Sequence, residues 1–188
     1  MPASSPAVSA KNAFYAGSFD PLTNGHLSVI YKAIQSFDRI VIAIGYNPSK
    51  TQFLPLDIRL TFIRDAIAAS SLTAEQKNKI TVTSFSEIYQ VSAAVEHGCG
   101  SLVRGIRNTK DFEEENLLAT VNESLCLDLG LPRLQTHLFN AEADKVGISS
   151  SMVKAMIGFE GWETALKRYV PETVLNALID NHTRLDKN

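Results

Sequence analysis

The 188-residue sequence contains only two cysteines, Cys99 and Cys126. They are too few and too far apart for a zinc site or a disulfide framework, so both are expected to be small buried hydrophobes in a reduced cytoplasm. No stretch approaches the roughly 20 apolar residues of a membrane span, and the opening MPASSPAVSAK has no continuous apolar core of signal-peptide length. Neither export nor membrane insertion is expected. One-sided charge is also missing: 18 Lys and Arg against 20 Asp and Glu give a formal net charge of -2, which argues against a general nucleic-acid binder. Any anion bound must therefore meet a local cluster of positive groups. A Walker loop is absent, and the glycine pair nearest to a dinucleotide fingerprint, Gly98 and Gly100, precedes an apolar run instead of following one.

What is present is an alternation of two patterns. Short, nearly all-apolar runs recur at 13–16, 39–46, 79–85, 101–104 and 134–139, each a strand candidate. Between them apolar residues fall at helical spacing, as in Leu27, Ile30, Ile34 and Phe37, or Ile58, Phe62, Ile63 and Ile67. Strands that are apolar throughout belong to a parallel sheet covered on both faces, so the expected fold class is α/β, a doubly wound five-stranded parallel sheet. After the fifth run the pattern is purely helical, with Pro171 placed to begin the last helix. The length suits one domain over 12–182, and the polar, breaker-rich segments 1–11 and 183–188 read as frayed ends. Segment 69–79 reads as a long surface loop.

Ligands of such sheets bind beyond the carboxyl ends of the strands, which makes the loops after residues 16, 46, 85, 104 and 139 the places to inspect. The first, GSFDPLTNGH, is dense in breakers and delivers His26 to a helix start whose free amides favour an anion. The second carries Lys50, a mobile point charge suited to phosphate. The fourth carries Arg104 and Arg107, well placed for bidentate phosphate contacts, or else for pairing with the following Glu113, Glu114 and Glu115. The last carries Ser149, Ser150 and Ser151 at a helix start, where one serine is a cap and three make a phosphate cradle. This set has no evident nucleophile or acid–base dyad. It fits nucleotidyl transfer, in which charge on phosphorus is stabilised by positioning and electrostatics.

Four stretches, YAGSFDPLTNGH, NPSK, LVRGIRNTKDFEEE and ISSSMVK, resemble the nucleotidyltransferase superfamily with its T/HxGH motif, here Thr23 to His26. Within it they are similar to the bacterial phosphopantetheine adenylyltransferase family, over roughly residues 12–181. The resemblance implies a Rossmann-like fold and adenylyl transfer from ATP to 4'-phosphopantetheine, giving dephospho-coenzyme A and pyrophosphate. It implies Mg2+ held mainly through the triphosphate and water, coenzyme A as a further ligand, and a homohexamer. By the same resemblance His26, Lys50 and Arg107 form the catalytic set. Ser18, Phe19, His26, Gly105, Ile106, Arg107, Glu115, Lys145, Val146, Gly147, Ile148 and Ser149 to Ser151 would meet ATP. Ser18, Lys50, Tyr89, Arg104 and Asn122 would meet the acceptor. Glu114 stands where the family often has tyrosine, Tyr89 where a smaller aliphatic is usual, and Val146 and Gly147 replace bulkier residues. Three readings compete. A nicotinate or nicotinamide mononucleotide adenylyltransferase would usually end the late motif in arginine, whereas a class I aminoacyl-tRNA synthetase needs more chain than this. A non-catalytic nucleotide sensor could dispense with His26.

Overall fold

The computed structural model describes residues 7–46, 51–140 and 147–185. In chain order the elements are β1 (Ser9–Gly17), α1 (Asn24–Ser36), β2 (Arg39–Gly45), α2 (Leu56–Ala69), α3 (Ala74–Asn78), β3 (Ile80–Phe85), α4 (Gln90–Glu96), β4 (Cys99–Ile106), α5 (Thr109–Asp128), β5 (Gln135–Asn140), α6 (Ser150–Met156), α7 (Trp162–Leu166) and α8 (Glu172–Leu185). The strands form one sheet in the order β3-β2-β1-β4-β5, and every neighbouring pair is parallel.

Strand alternation sorts the core into two layers. Ala13, Tyr15, Ile40, Ile42, Ile44 and Val103 pack with α1, α2 and the C-terminal helices. Phe14, Ala16, Val41, Ala43 and Leu102 face the other way, against α4, Cys126 and Leu134. Both faces of each central strand are thus dry, which is why the strand sequences show no polar alternation. Val153, Leu166 and Val174 are fully buried, so the C-terminal helices complete the first layer and are not an appendage.

Three boundaries differ from expectation. β1 begins at Ser9, whose Cα pairs with that of Cys99, so the strand enters the stretch read as a tail. α8 continues to Leu185, into the segment read as the other frayed end. The supposed loop 69–79 contains α3, started by a capping box: the Thr73 hydroxyl accepts from Gln76 N–H at 3.2 Å, and the Gln76 side chain accepts from Thr73 N–H at 3.0 Å. The discarded Gly100 also has its explanation. A Cβ there would lie 2.8 Å from the β1 backbone, where the two strands approach too closely for a side chain.

Candidate active site

The strand order reverses between β1 and β4, since the chain winds outward from β1 in one direction and from β4 in the other. Loops leaving these two strands diverge there and open a crevice. A cavity of about 300 Å³ occupies it, lined by Tyr15 to Gly17 from β1, Thr23, Gly25, His26 and Val29 from the turn and α1, Arg104, Gly105, Arg107 and Glu115 from β4, the turn after it and α5, and Ile148 to Ser151 from the late loop and α6. The close fit of α1 against β4 requires Gly105. A Cβ there would come within 2.7 Å of the Val29 Cγ2 methyl.

The β1 turn fixes the histidine. Thr23 is the N-cap of α1 and its hydroxyl accepts from His26 N–H at 3.4 Å, while His26 Nδ1 accepts from Thr23 N–H at 3.1 Å. A backbone N–H can only donate, so Nδ1 carries the lone pair and the ring proton sits on Nε2. Burial, with the positive charge of Arg107, lowers the His26 pKa to about 4. The imidazole is therefore a neutral Nε2–H donor at physiological pH. Phe19 supports it edge-on, with ring centroids 5.0 Å apart, and is held at φ 46 by its own burial against Tyr15.

The β4 side is built from paired charges. Arg104 donates to Glu115 through Nε at 2.6 Å and Nη2 at 2.8 Å, and to the Ala16 carbonyl through Nη1 at 3.1 Å. Arg107 donates to Asp111 through Nε at 2.7 Å and Nη2 at 3.1 Å, and through Nη1 to the Ile148 carbonyl at 3.3 Å. Burial alone would raise the Asp111 pKa, but the hydrogen bond and charge of Arg107 outweigh it and hold the carboxyl below its usual range. For Arg104, burial opposes the charge and Glu115 restores it, with a net rise. Ser149 caps α6 by accepting from Met152 N–H at 3.1 Å, and Ser150 Oγ donates to the Pro21 carbonyl at 2.8 Å. Two of the three serines are thus engaged in structure, and Ser151 is exposed at the cavity rim.

Of the residues expected at the site, His26, Arg104, Gly105, Arg107, Glu115, Ile148, Ser149, Ser150 and Ser151 line this one cavity. Ser18 and Phe19 lie in the turn beneath it, Ile106 is a buried strand residue, and Gly147 flanks the late loop without lining the space. Tyr89 is the exposed N-cap of α4 and Asn122 is buried within α5, and neither lines the cavity. Lys50, Lys145 and Val146 lie outside the described residues. Sequence reasoning missed Tyr15, which lines the cavity, and Asp111, the carboxylate that pairs with Arg107. Asp111 stands four residues after Arg107, a spacing at which helical side chains pair, and that was a legible signal. Among the described residues no group of three His, Cys, Asp or Glu is gathered as a metal cage.

A parallel sheet with its cavity at the strand-order reversal and a neutral histidine donor at the corner is the arrangement of a nucleotidyltransferase, and the chain belongs to the cytidylyltransferase-like family, whose model matches residues 14–156. Phosphopantetheine adenylyltransferases of Chromobacterium violaceum and Leuconostoc citreum are 34% and 36% identical to the chain over 92% and 88% of its length, covering 98% and 95% of their own. At that identity and coverage the chain is a member of the phosphopantetheine adenylyltransferase family. In fold it is similar to Plasmodium falciparum nicotinic acid mononucleotide adenylyltransferase, with a TM-score of 0.65 and 18% identity over 94% of this chain and 98% of that one. It is also similar to a Vibrio parahaemolyticus protein described as a nicotinate-nucleotide adenylyltransferase, with a TM-score of 0.57 and 15% identity over 90% and 91% of the two chains. Those two likenesses, well under a quarter identical, speak to fold alone.

Proposed function

We propose that the chain transfers the adenylyl group of ATP to 4'-phosphopantetheine, releasing pyrophosphate and dephospho-coenzyme A, in the cytoplasm. The observation that carries this reading is the Thr23 N–H bond to His26 Nδ1, which leaves a neutral Nε2–H donor in a cavity flanked by two guanidiniums. An oxygen of the acceptor's phosphate attacks the α-phosphorus of ATP, the bond to the bridging oxygen of the β-phosphate breaks, and pyrophosphate leaves. No general base is needed, because a phosphate monoester with a second pKa of about 6 is already anionic at neutral pH. Nor is a covalent enzyme intermediate needed. His26 Nε2–H donates to the α-phosphate oxygen whose charge grows most at five-coordinate phosphorus. Lys50 and Ser18 would hold the acceptor phosphate. Arg107 and the late-loop residues would take the outer phosphates of ATP, and Arg104 would take the pantetheine side.

The two guanidiniums face Glu115 and Asp111, so the described pocket has little net positive charge to offer a triphosphate. That donor set suits Mg2+ carried on the phosphates with water, not caged by protein; when bound it neutralises phosphate charge and orients the leaving group. A bifunctional NMN adenylyltransferase/ADP ribose pyrophosphatase of Francisella tularensis, 49% of which the chain covers, is described as complexed with AMP and a manganese ion. The same reading gives a homohexamer. Phe112, Leu117, Leu118 and Val121 on α5 are 42% to 68% exposed, an apolar face that another copy would cover. Among the described residues no helix is long and apolar enough to cross a membrane.

The deciding experiment supplies ATP and Mg2+ with either 4'-phosphopantetheine or nicotinamide mononucleotide and measures pyrophosphate. Release with 4'-phosphopantetheine is expected. Release with the mononucleotide alone overturns the substrate, and release with neither favours a nucleotide-binding protein without turnover.

A further inference from the structure

Arg59 and Asp20 are the charged residues in the buried set of described residues, at 2% and 7% exposure, and neither lines the cavity between β1 and β4. Buried charges are costly unless their polar atoms are met. Arg59, early in α2, donates through Nη1 to the Ser18 carbonyl at 2.9 Å and through Nη2 to the Gln52 side-chain oxygen, while its buried Nε meets no acceptor among the described residues. The two carboxylate oxygens of Asp20 accept from the backbone N–H groups of Phe53 and Leu54, both at 2.9 Å. The two side chains are not ion-paired with each other. The charge of Asp20 acts on Arg59 through space, opposing the burial that lowers the guanidinium's pKa.

Their partners lie on two irregular segments, 18–20 after β1 and 52–54 after β2. Backbone groups in such segments have no ladder to satisfy them, so these side chains do the work that a sheet or helix does elsewhere. Arg59 reaches from α2 to the β1 turn, while Asp20 reaches from the β1 turn to the segment leading into α2. The result is a double brace with one buried charge at each end. The groups that would take the outer phosphates of ATP, Arg107 and the late-loop residues, lie after β4 and before α6, and Arg59 and Asp20 bond to neither segment; of the residues expected at ATP only Ser18 and Phe19 share the braced turn.

We propose that Arg59 and Asp20 are positioning residues for the acceptor side of the reaction, locking the Ser18 turn against segment 52–54 so that the acceptor's phosphate meets a preset hydroxyl. This rests on the adenylyl-transfer reading, in which Ser18 serves the acceptor phosphate.

The test uses the full chain and follows pyrophosphate release with each substrate varied in turn. Arg59→Met and Asp20→Asn are expected to raise KM for 4'-phosphopantetheine about tenfold or more while changing KM for ATP by less than about threefold, and Arg59→Lys recovers part of the loss. An equal rise in both KM values, or a loss of active fraction with both KM values unchanged, overturns the assignment, because general destabilisation acts in that way. If Arg59→Met does not fold, Gln52→Ala removes one acceptor of the brace and is expected to raise the acceptor KM about two- to fivefold, and no rise overturns the proposal. Amide exchange separates the brace from the activity. At Phe53 and Leu54 it is expected to be about tenfold faster or more in Asp20→Asn than in wild type. Unchanged exchange overturns the brace. Faster exchange in an enzyme inactive toward 4'-phosphopantetheine overturns only the substrate reading.

Discussion

The turn after β1 and the turn after β4 end at the same cavity but handle charge in opposite ways. On the β1 side the polar groups bond to one another, Thr23 with His26 in both directions, and what reaches the cavity is one neutral donor with its tautomer fixed. On the β4 side two guanidiniums arrive already matched, Arg104 with Glu115 and Arg107 with Asp111. The first half is preorganised for a charge that appears only in the transition state. The second half is set up for a charge that arrives with the substrate and must share or displace a carboxylate. A donor fixed before binding acts on kcat, whereas an ion pair that has to be shared acts on KM.

The largest effect expected from this contrast is at His26. His26→Ala should lower kcat by about 10²-fold or more and leave ATP affinity within roughly tenfold, by analogy with removing a single transition-state donor. Single-turnover kinetics and equilibrium titration with ATP read the two quantities separately, and wild-type turnover would remove His26 from the mechanism. The same histidine has a pH signature. Its native pKa of about 4 lies below the 6.5 of an unfolded chain, so between these values the unfolded state binds a proton that the native state does not. Stability contributed at this position is therefore whole above pH 6.5 and falls as pH drops toward 4. The ring carbon signals of His26 in an NMR titration should stay at their neutral values down to about pH 5, given a pKa near 4. A midpoint near 6.5 would break the account of a fixed neutral donor.

The next effect is on the paired side. Asp111→Asn removes the negative partner of Arg107 but keeps its size, and the guanidinium then loses its bidentate anchor. Hydrogen bonds to charged groups contribute about 1.5–3 kcal/mol, so a rise in KM for ATP of about tenfold is expected, with kcat falling less. If kcat fell in proportion and KM held, Arg107 would belong with His26 as a preset transition-state group, and the contrast between the two turns would disappear.

Gly105→Ala probes how tightly the two halves are joined. The added methyl would meet Val29 Cγ2 at 2.7 Å, an overpacking expected to cost about 1–3 kcal/mol in thermal or urea unfolding. Val29→Ala in the same chain should relieve most of that cost. If the double variant is no more stable than Gly105→Ala alone, the clash is not the reason for glycine at this position.

The β1 half was more legible in sequence than the β4 half, for physical reasons. Breakers, a cap residue and a histidine at fixed spacing are local signals, and the capping box that orients His26 closes within four residues. The sheet was legible too, because strands dry on both faces lose polar alternation. The partners of Arg104 and Arg107 are only half legible: pairing with Glu115 is one of two readings of the fourth loop, and the four-residue spacing of Arg107 and Asp111 is the one signal for the second pair. Tyr89 is named by resemblance and Asn122 by its place on the helix that follows Arg107, and neither lines the cavity. Arg59 and Asp20 left no sequence signal, since a buried charge joined to backbone atoms 33 to 41 residues away has no periodicity to betray it. In α3, by contrast, the Thr73–Gln76 capping box is a local signal set among polar residues that read as loop.

The smallest effect concerns the seam between the β1 turn and the late helix. Ser150 Oγ donates to the Pro21 carbonyl at 2.8 Å, one residue beyond the cap that Ser149 provides for α6. Ser150→Ala deletes a neutral hydrogen bond and leaves one carbonyl to find water, so a loss of about 0.5–1.5 kcal/mol is expected. For a chain of this size, a calorimetric melt should show that as a fall in Tm of about 2–4 °C per kcal/mol. The kinetic consequence separates two roles for the serine run. If Ser150 acts only as a tie, KM for ATP rises less than about threefold. A rise of about tenfold or more would mean that its hydroxyl leaves Pro21 for a phosphate when ATP binds, and the late loop would then join Arg104 and Arg107 among the groups that must exchange partners.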